Sequence, residues 1–216
     1  MSVRVKICGI TRAQDARLAA RLGAAAVGFN FWNGSPRRIA PARARRIGEL
    51  LPPSVTRVGV FVDAALPEIL RIVREARLDA VQLHGDEPRA LAQALPVPVV
   101  RAFRRRGPES APELLGYPCA AVLLDASVPA AYGGTGQLCD WEVAARVARA
   151  RRLILAGGLG PHNLAQAVAA VRPYAVDLNS GVEQAPGEKD PEKLRAAFAA
   201  LAPSKSHVTA AAGAFV

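Results

Sequence analysis

Short apolar runs recur along this chain at a spacing that leaves few folds open to it. Each run is rich in Val, Ile and Leu, ends in a Gly, Pro or polar break, and is followed by an Ala/Arg/Leu segment of helical period. Eight such units follow one another in 216 residues. They predict strands over 3–7, 25–31, 55–62, 80–83, 97–103, 120–124, 153–156 and 174–178. The intervening helices are predicted over 12–22, 42–51, 66–77, 88–94, 112–115, 141–151, 163–171 and 191–201. Strands that are apolar throughout, rather than alternating, are covered on both faces, and strand–helix alternation implies parallel pairing through helical crossovers. Eight βα units in about 200 residues predict an α/β fold, a single-domain (β/α)8 or TIM barrel. An open doubly wound sheet competes on the same alternation, but no GxGxxG follows the first strand, and eight repeats close more naturally than they extend.

Composition narrows the function classes. At 51% hydrophobic and 21% charged residues the chain can bury a sizeable core. No apolar run approaches the roughly 20 residues of a membrane span, and the first strand follows Met1-Ser2 directly, so a cytoplasmic protein without a membrane partner is expected. Prolines sit at loop positions and mark no linker, which makes residues 1–202 one domain. Residues 203–216 lose all periodicity and are expected to form a disordered tail without function. Three cysteines without CxxC spacing suggest reduced thiols and no metal site. Cys119 and Cys139 lie away from strand ends and are read as structural.

The net charge of +10 raises the question of nucleic acid. Only Lys6, Lys189, Lys193 and Lys205 are lysines, and the arginines are dispersed along helices. The clusters Arg43-Arg45-Arg46 and Arg104-Arg105-Arg106 have no interleaved aromatics to stack bases. An anionic small molecule fits the charge better than a nucleic acid. Monomer and homodimer are both compatible with the sequence.

In a barrel of this kind the carboxyl ends of the strands build the active site. Position alone therefore selects Cys8, Asn30, the Arg37 loop, Asp63, Gln82, His84, Arg101, Asp125, Gly157-Gly158 and Asp177-Asn179-Ser180-Gly181. Cys8 reads equally as a base or nucleophile tuned toward thiolate and as a buried structural thiol. Asp125 emerges from a buried strand, where desolvation suits a carboxyl kept protonated as an acid. The glycine segments 133–136 and 157–160, with Ser180-Gly181, fall where such barrels hold phosphate. Arg37 offers a fork for a carboxylate, and His84 is a binding-site candidate.

Several segments resemble the phosphoribosylanthranilate isomerase family of tryptophan biosynthesis over about residues 3–201. They are Val5-Lys6-Ile7-Cys8-Gly9-Ile10-Thr11, Gly28-Phe29-Asn30-Phe31 with Ser35-Pro36-Arg37, Val81-Gln82-Leu83-His84-Gly85-Asp86-Glu87, Gly133-Gly134-Thr135-Gly136, Ala156-Gly157-Gly158-Leu159 and Asp177-Leu178-Asn179-Ser180-Gly181-Val182-Glu183. The resemblance implies a cofactor-free, Amadori-type isomerisation of a phosphosugar. It implies Asp125 as general acid, Cys8 as base and Arg37 at the anthranilate carboxylate. Gly134, Gly136, Gly157, Gly158, Ser180 and Gly181 are implied as the phosphate cradle, with Asp177 organising the site and Asn179 standing where a serine is frequent. The related histidine-pathway or dual-substrate isomerases place an aspartate where Cys8 stands, and a non-catalytic basic barrel is the alternative from another class.

Overall fold

A computed structural model of the chain describes residues 3–104, 115–125, 136–202 and 215–216. Eight parallel strands close on themselves in chain order: β1 (Arg4–Ile7), β2 (Ala26–Asn30), β3 (Thr56–Phe61), β4 (Ala80–Leu83), β5 (Val99–Arg104), β6 (Ala121–Asp125), β7 (Leu153–Ala156) and β8 (Ala175–Leu178). The ring is sealed by β1 against β8, with Lys6 opposite Asp177. Helices α1 (Ala13–Arg21), α2 (Pro41–Gly48), α3 (Leu66–Ala76), α4 (Arg89–Gln93), α5 (Gly136–Ala150), α6 (Leu164–Val171) and α7 (Pro191–Leu201) return the chain between strands. Among the described residues no helix is long and apolar enough to cross a membrane.

The strands and helices follow the sequence pattern to within a few residues, because each apolar run is buried on both faces. Val5, Ile7, Val27, Phe29, Val81 and Leu83 point outward and pack beneath the helices. Their neighbours at odd offsets point to the barrel axis, where Val58, Val100, Leu123 and Ile154 form a second buried cluster. Proline stands in the first turn of α2, α3 and α7, where its missing N–H costs nothing. Asp190 caps α7, its carboxylate accepting from the Glu192 and Lys193 amides at 2.8 and 3.1 Å.

Three elements depart from the sequence reading. α5 begins at Gly136 rather than 141, since the early residues of that helix carry no clear apolar stripe. A short 3-10 turn at Ser180–Val182 leads into a hairpin of β9 (Glu183–Ala185) and β10 (Glu188–Lys189), too short to show a period of two. In the 203–216 segment, residues 203–214 lie outside the described residues, but Phe215 is 1% exposed and sits in the axial cluster. The sequence predicts this segment as a disordered tail without function, and a single buried aromatic at its end has no periodicity by which to be recognised. The predicted helix over 112–115 lies outside the described residues except for Leu115.

Candidate active site

The period of two sorts the axial side chains of the even strands into layers. At the amino end lie Ala26, Ala80, Ala121 and Ala175, two residues on Gly28, Gln82, Leu123 and Asp177, and two further Asn30, His84, Asp125 and Asn179. Polarity thus rises along the axis toward the carboxyl mouth. There a cavity of about 280 Å³ is lined by His84, Asp125, Gly157, Gly158, Asp177, Asn179, Ser180 and Gly181, with Leu123, Ala156 and Leu159. Eight of the residues singled out in the sequence meet in this one space.

Its glycine wall has a physical basis. Gly157 and Gly158 adopt φ of 91° and 61°, a left-handed backbone that disfavours side chains. At Gly181 a Cβ would collide with the Leu159 carbonyl oxygen, so glycine lets the loops after β7 and β8 touch. The first hydrogen bond of the 3-10 turn is donated by Val182 to the Asn179 carbonyl at 3.2 Å, after the amides of Ser180 and Gly181. Gly136 starts α5, and Gly134 lies outside the described residues.

One layer below the mouth lies a buried charge cluster. Lys6 Nζ donates to Asp177 Oδ2 at 2.6 Å, both groups nearly inaccessible to water. Burial pulls the Lys6 ammonium down, but Asp177 and the neighbouring Cys8 outweigh it and hold it above the usual lysine value. Burial pushes the Cys8 thiol up and Asp177 adds to this, while Lys6 and Lys189 pull the other way. Gly28 makes room for the pair: a Cβ there would lie 2.8 Å from Cys8 Sγ and 3.3 Å from Lys6 Cε. Asp177 Oδ1 is buried and has no hydrogen-bond partner among the described residues, leaving an acceptor at the cavity wall.

Arg37 is not an open fork. Its Nε and Nη2 donate to both oxygens of Glu183, the shortest contact being 2.6 Å. Glu183 also accepts from Lys189 Nζ at 2.9 Å and the Gly187 amide at 3.1 Å, and these partners hold its carboxyl below the usual range despite burial. Lys189 donates in addition to Asn179 Oδ1 at 3.0 Å, and burial draws its ammonium below the ordinary lysine value. The β9–β10 hairpin thereby ties the β2 loop to the end of β8. In the sequence Glu183 figures only in the segment that resembles the family, and Lys189 only among the four lysines. The scarcity of lysine, with Lys189 one of four in the chain, was the signal the sequence offered.

Other position-based candidates do not reach the cavity. Arg101 faces outward, because its neighbours Val100 and Ala102 take the axial positions. It pairs with Glu87, whose carboxylate also accepts from the Asp63 and Gly85 amides and so ties the loops after β3 and β4 together. Asp63 joins them by accepting from the Asp86 amide at 2.6 Å. Asn30 accepts from the Trp32 amide at 2.9 Å and serves its own loop. Gln82 lies beneath His84, its Nε2 2.9 Å from the ring Nδ1. Cys119 is part-buried beside Arg151, while the side chain of Cys139 lies outside the described residues.

A closed parallel barrel with a carboxylic acid, a buried thiol–ammonium pair and a glycine-walled recess at its carboxyl mouth is the layout of a (β/α)8-barrel enzyme. Comparison with known proteins narrows the class. Residues 5–200 match the family model described as N-(5'phosphoribosyl)anthranilate (PRA) isomerase. A relative from Geobacter sp. (strain M21), named N-(5'-phosphoribosyl)anthranilate isomerase, is 53% identical over 89% of this chain and 94% of its own. The phosphoribosyl anthranilate isomerase of Thermus thermophilus superposes with a TM-score of 0.80 at 51% identity, over 92% of this chain and 98% of that one. Another phosphoribosyl anthranilate isomerase, solved in complex with reduced 1-(o-carboxyphenylamino)-1-deoxyribulose 5-phosphate, gives a TM-score of 0.82 at 40% identity over the same shares of the two chains. The chain belongs to the N-(5'-phosphoribosyl)anthranilate isomerase family.

Proposed function

We propose that the protein isomerises N-(5'-phosphoribosyl)anthranilate to 1-(2-carboxyphenylamino)-1-deoxyribulose 5-phosphate, the aldose-to-ketose step of tryptophan biosynthesis. The observation that carries this reading is one cavity shared by Asp125, Asp177 and the glycine wall of the β7 and β8 loops, with Cys8 and Lys6 directly beneath it. Family membership and the product-like ligand of a relative support it.

In this reading Asp125 gives its proton to the ribose ring oxygen, the C1'–O bond breaks, and a protonated Schiff base forms at C1'. Cys8, as thiolate, removes the C2' proton, and the freed electron pair makes the C1'=C2' bond of an enolamine. Loss of the C2' hydroxyl proton and protonation of C1' complete the ketone, so C2' is oxidised as C1' is reduced. The charges below the mouth favour the base. Lys6, Lys189 and Arg37 outnumber the carboxylates Asp177 and Glu183 by one, and a thiolate at Cys8 balances the cluster. The resting thiol is held protonated by burial, and the cationic Schiff base completes its activation. Asp177 Oδ1 accepts a substrate hydroxyl, and the amides around Gly157, Gly158, Ser180 and Gly181 receive the phosphate, Gly134 and Gly136 being the further members of the cradle that the family resemblance implies. Arg37, pinned through Nε and Nη2, presents Nη1 to the anthranilate carboxylate.

All these groups come from one chain, so the chemistry operates in a monomer or a homodimer; a relative from Thermotoga maritima is described as dimeric. The test is loss of anthranilate-type fluorescence when the protein meets substrate made in situ. Wild-type turnover that falls about 10²–10⁴-fold in both Cys8→Ser and Asp125→Asn is expected. An inactive wild type overturns the function, and an active one indifferent to both changes overturns the roles.

A further inference from the structure

The amino end of the barrel axis is lined by a layer of four alanines. Ala26, Ala80, Ala121 and Ala175 open the even strands, are fully buried and belong to the axial cluster. Such layers are ordinarily filled by bulky branched side chains, and protein interiors packed to crystal-like density do not keep ring-sized voids without cost. Four methyl groups leave the middle of this layer open, roofed by the larger axial residues Val58, Val100 and Ile154.

Phe215 occupies that space. Among the described residues it is the one aromatic of the eleven buried members of the axial cluster, and it is 1% exposed. Its N–H donates to Thr56 Oγ1 at 3.4 Å, at the first residue of β3, which fixes the ring at the amino end and not the carboxyl mouth. Val216 packs against the same cluster from outside. Beside it Tyr174 lies under the guanidinium groups of Arg4 and Arg152, 4.5 and 5.3 Å from its ring centroid, so charged side chains rim the socket. The last helix runs antiparallel to the strands and delivers the chain at Leu201 to this same end.

We propose that the amino end of the barrel is a binding site for one aromatic ring, and that the chain fills it with its own Phe215 as an axial plug. The socket accepts an apolar ring because the buried members of its cluster are methyl and branched aliphatic groups. The plug stands at the mouth opposite Asp125, and its loss weakens the fold and spares the chemistry.

Two measurements test this. In the wild-type protein, hydrogen exchange at the Phe215 amide should be slowed at least about 100-fold relative to an unstructured peptide; exchange at the peptide rate overturns the proposal. Phe215→Ala should melt about 5 °C or more below wild type, with Phe215→Leu between the two, while kcat/KM for the isomerisation stays within about twofold. An unchanged melting temperature in Phe215→Ala overturns the plug, and a fall in kcat/KM without a fall in melting temperature overturns its separation from the active site. If Phe215→Ala does not accumulate as folded protein, the exchange measurement on the wild type decides alone.

Discussion

The two ends of the barrel axis are built from the same strands and have opposite physical characters. At the amino end the even strands contribute alanine and the gap is closed by Phe215, in a cluster of buried apolar side chains. Two residues further along the same strands stand Gly28, Gln82 and Asp177, and two beyond those His84, Asp125 and Asn179, around an open cavity. Burying an apolar ring contributes about 1.5–3 kcal/mol, whereas holding Lys6 and Asp177 out of water costs several kcal/mol that their pairing only offsets. The amino end stabilises the barrel and the carboxyl end draws on that stability to hold charges where a reaction needs them. A rise of 3.3 Å per residue is enough to separate the two roles within one strand.

The largest effect that would sharpen this contrast is expected at the carboxyl mouth. Asp125→Asn and Cys8→Ser should lose activity by orders of magnitude, and Asp125→Asn should melt at or above the wild-type temperature, since it removes no buried apolar area. A parallel loss of melting temperature, read by calorimetry, would mean that the mouth is also part of the stabilising core. Gly28→Ala comes next. The added methyl group meets Cys8 Sγ and Cα and Lys6 Cε in a packed layer, so kcat should fall at least about 100-fold and stability by about 1–3 kcal/mol. Retention of full activity would show that the thiol and ammonium need not share that space.

Glu183→Gln tests the hairpin clamp. Removing the charge that pins Arg37 should raise KM about tenfold with kcat within about threefold, in steady-state kinetics. An unchanged KM would leave Arg37 no part in gripping the substrate. The smallest effect concerns acid stability. The folded-state value of Glu183 is depressed below 4.5, so the stability it contributes is complete above that pH and is lost as pH falls through the folded-state value. Chemical denaturation of wild type and Glu183→Gln should therefore converge as the pH is lowered below about 4.5, and a constant difference would refute the linkage.

Much of this was legible in the chain. Eight apolar runs alternating with helical segments place every strand of the barrel, and the strand-end rule picks His84, Asp125, Gly157, Gly158, Asp177, Asn179, Ser180 and Gly181, all of which line one cavity. The same rule failed for Arg101, where the position is right and the parity wrong: one residue along a strand turns a side chain from the axis to the helices. It also missed Glu183, Lys189 and Glu87, which act from loops by pairing with partners distant in sequence.

By itself the sequence determines the number of units, their parallel closure and the face on which polar residues collect, because these follow from local periodicity and the hydrophobic effect. Only the tertiary structure decides that Lys6 meets Asp177 across the closing seam, that Arg37 is held by Glu183, and that Phe215 fills an alanine-lined socket. Each of these depends on which residues ring closure and loop return bring within a few ångströms, and local periodicity carries no information about that.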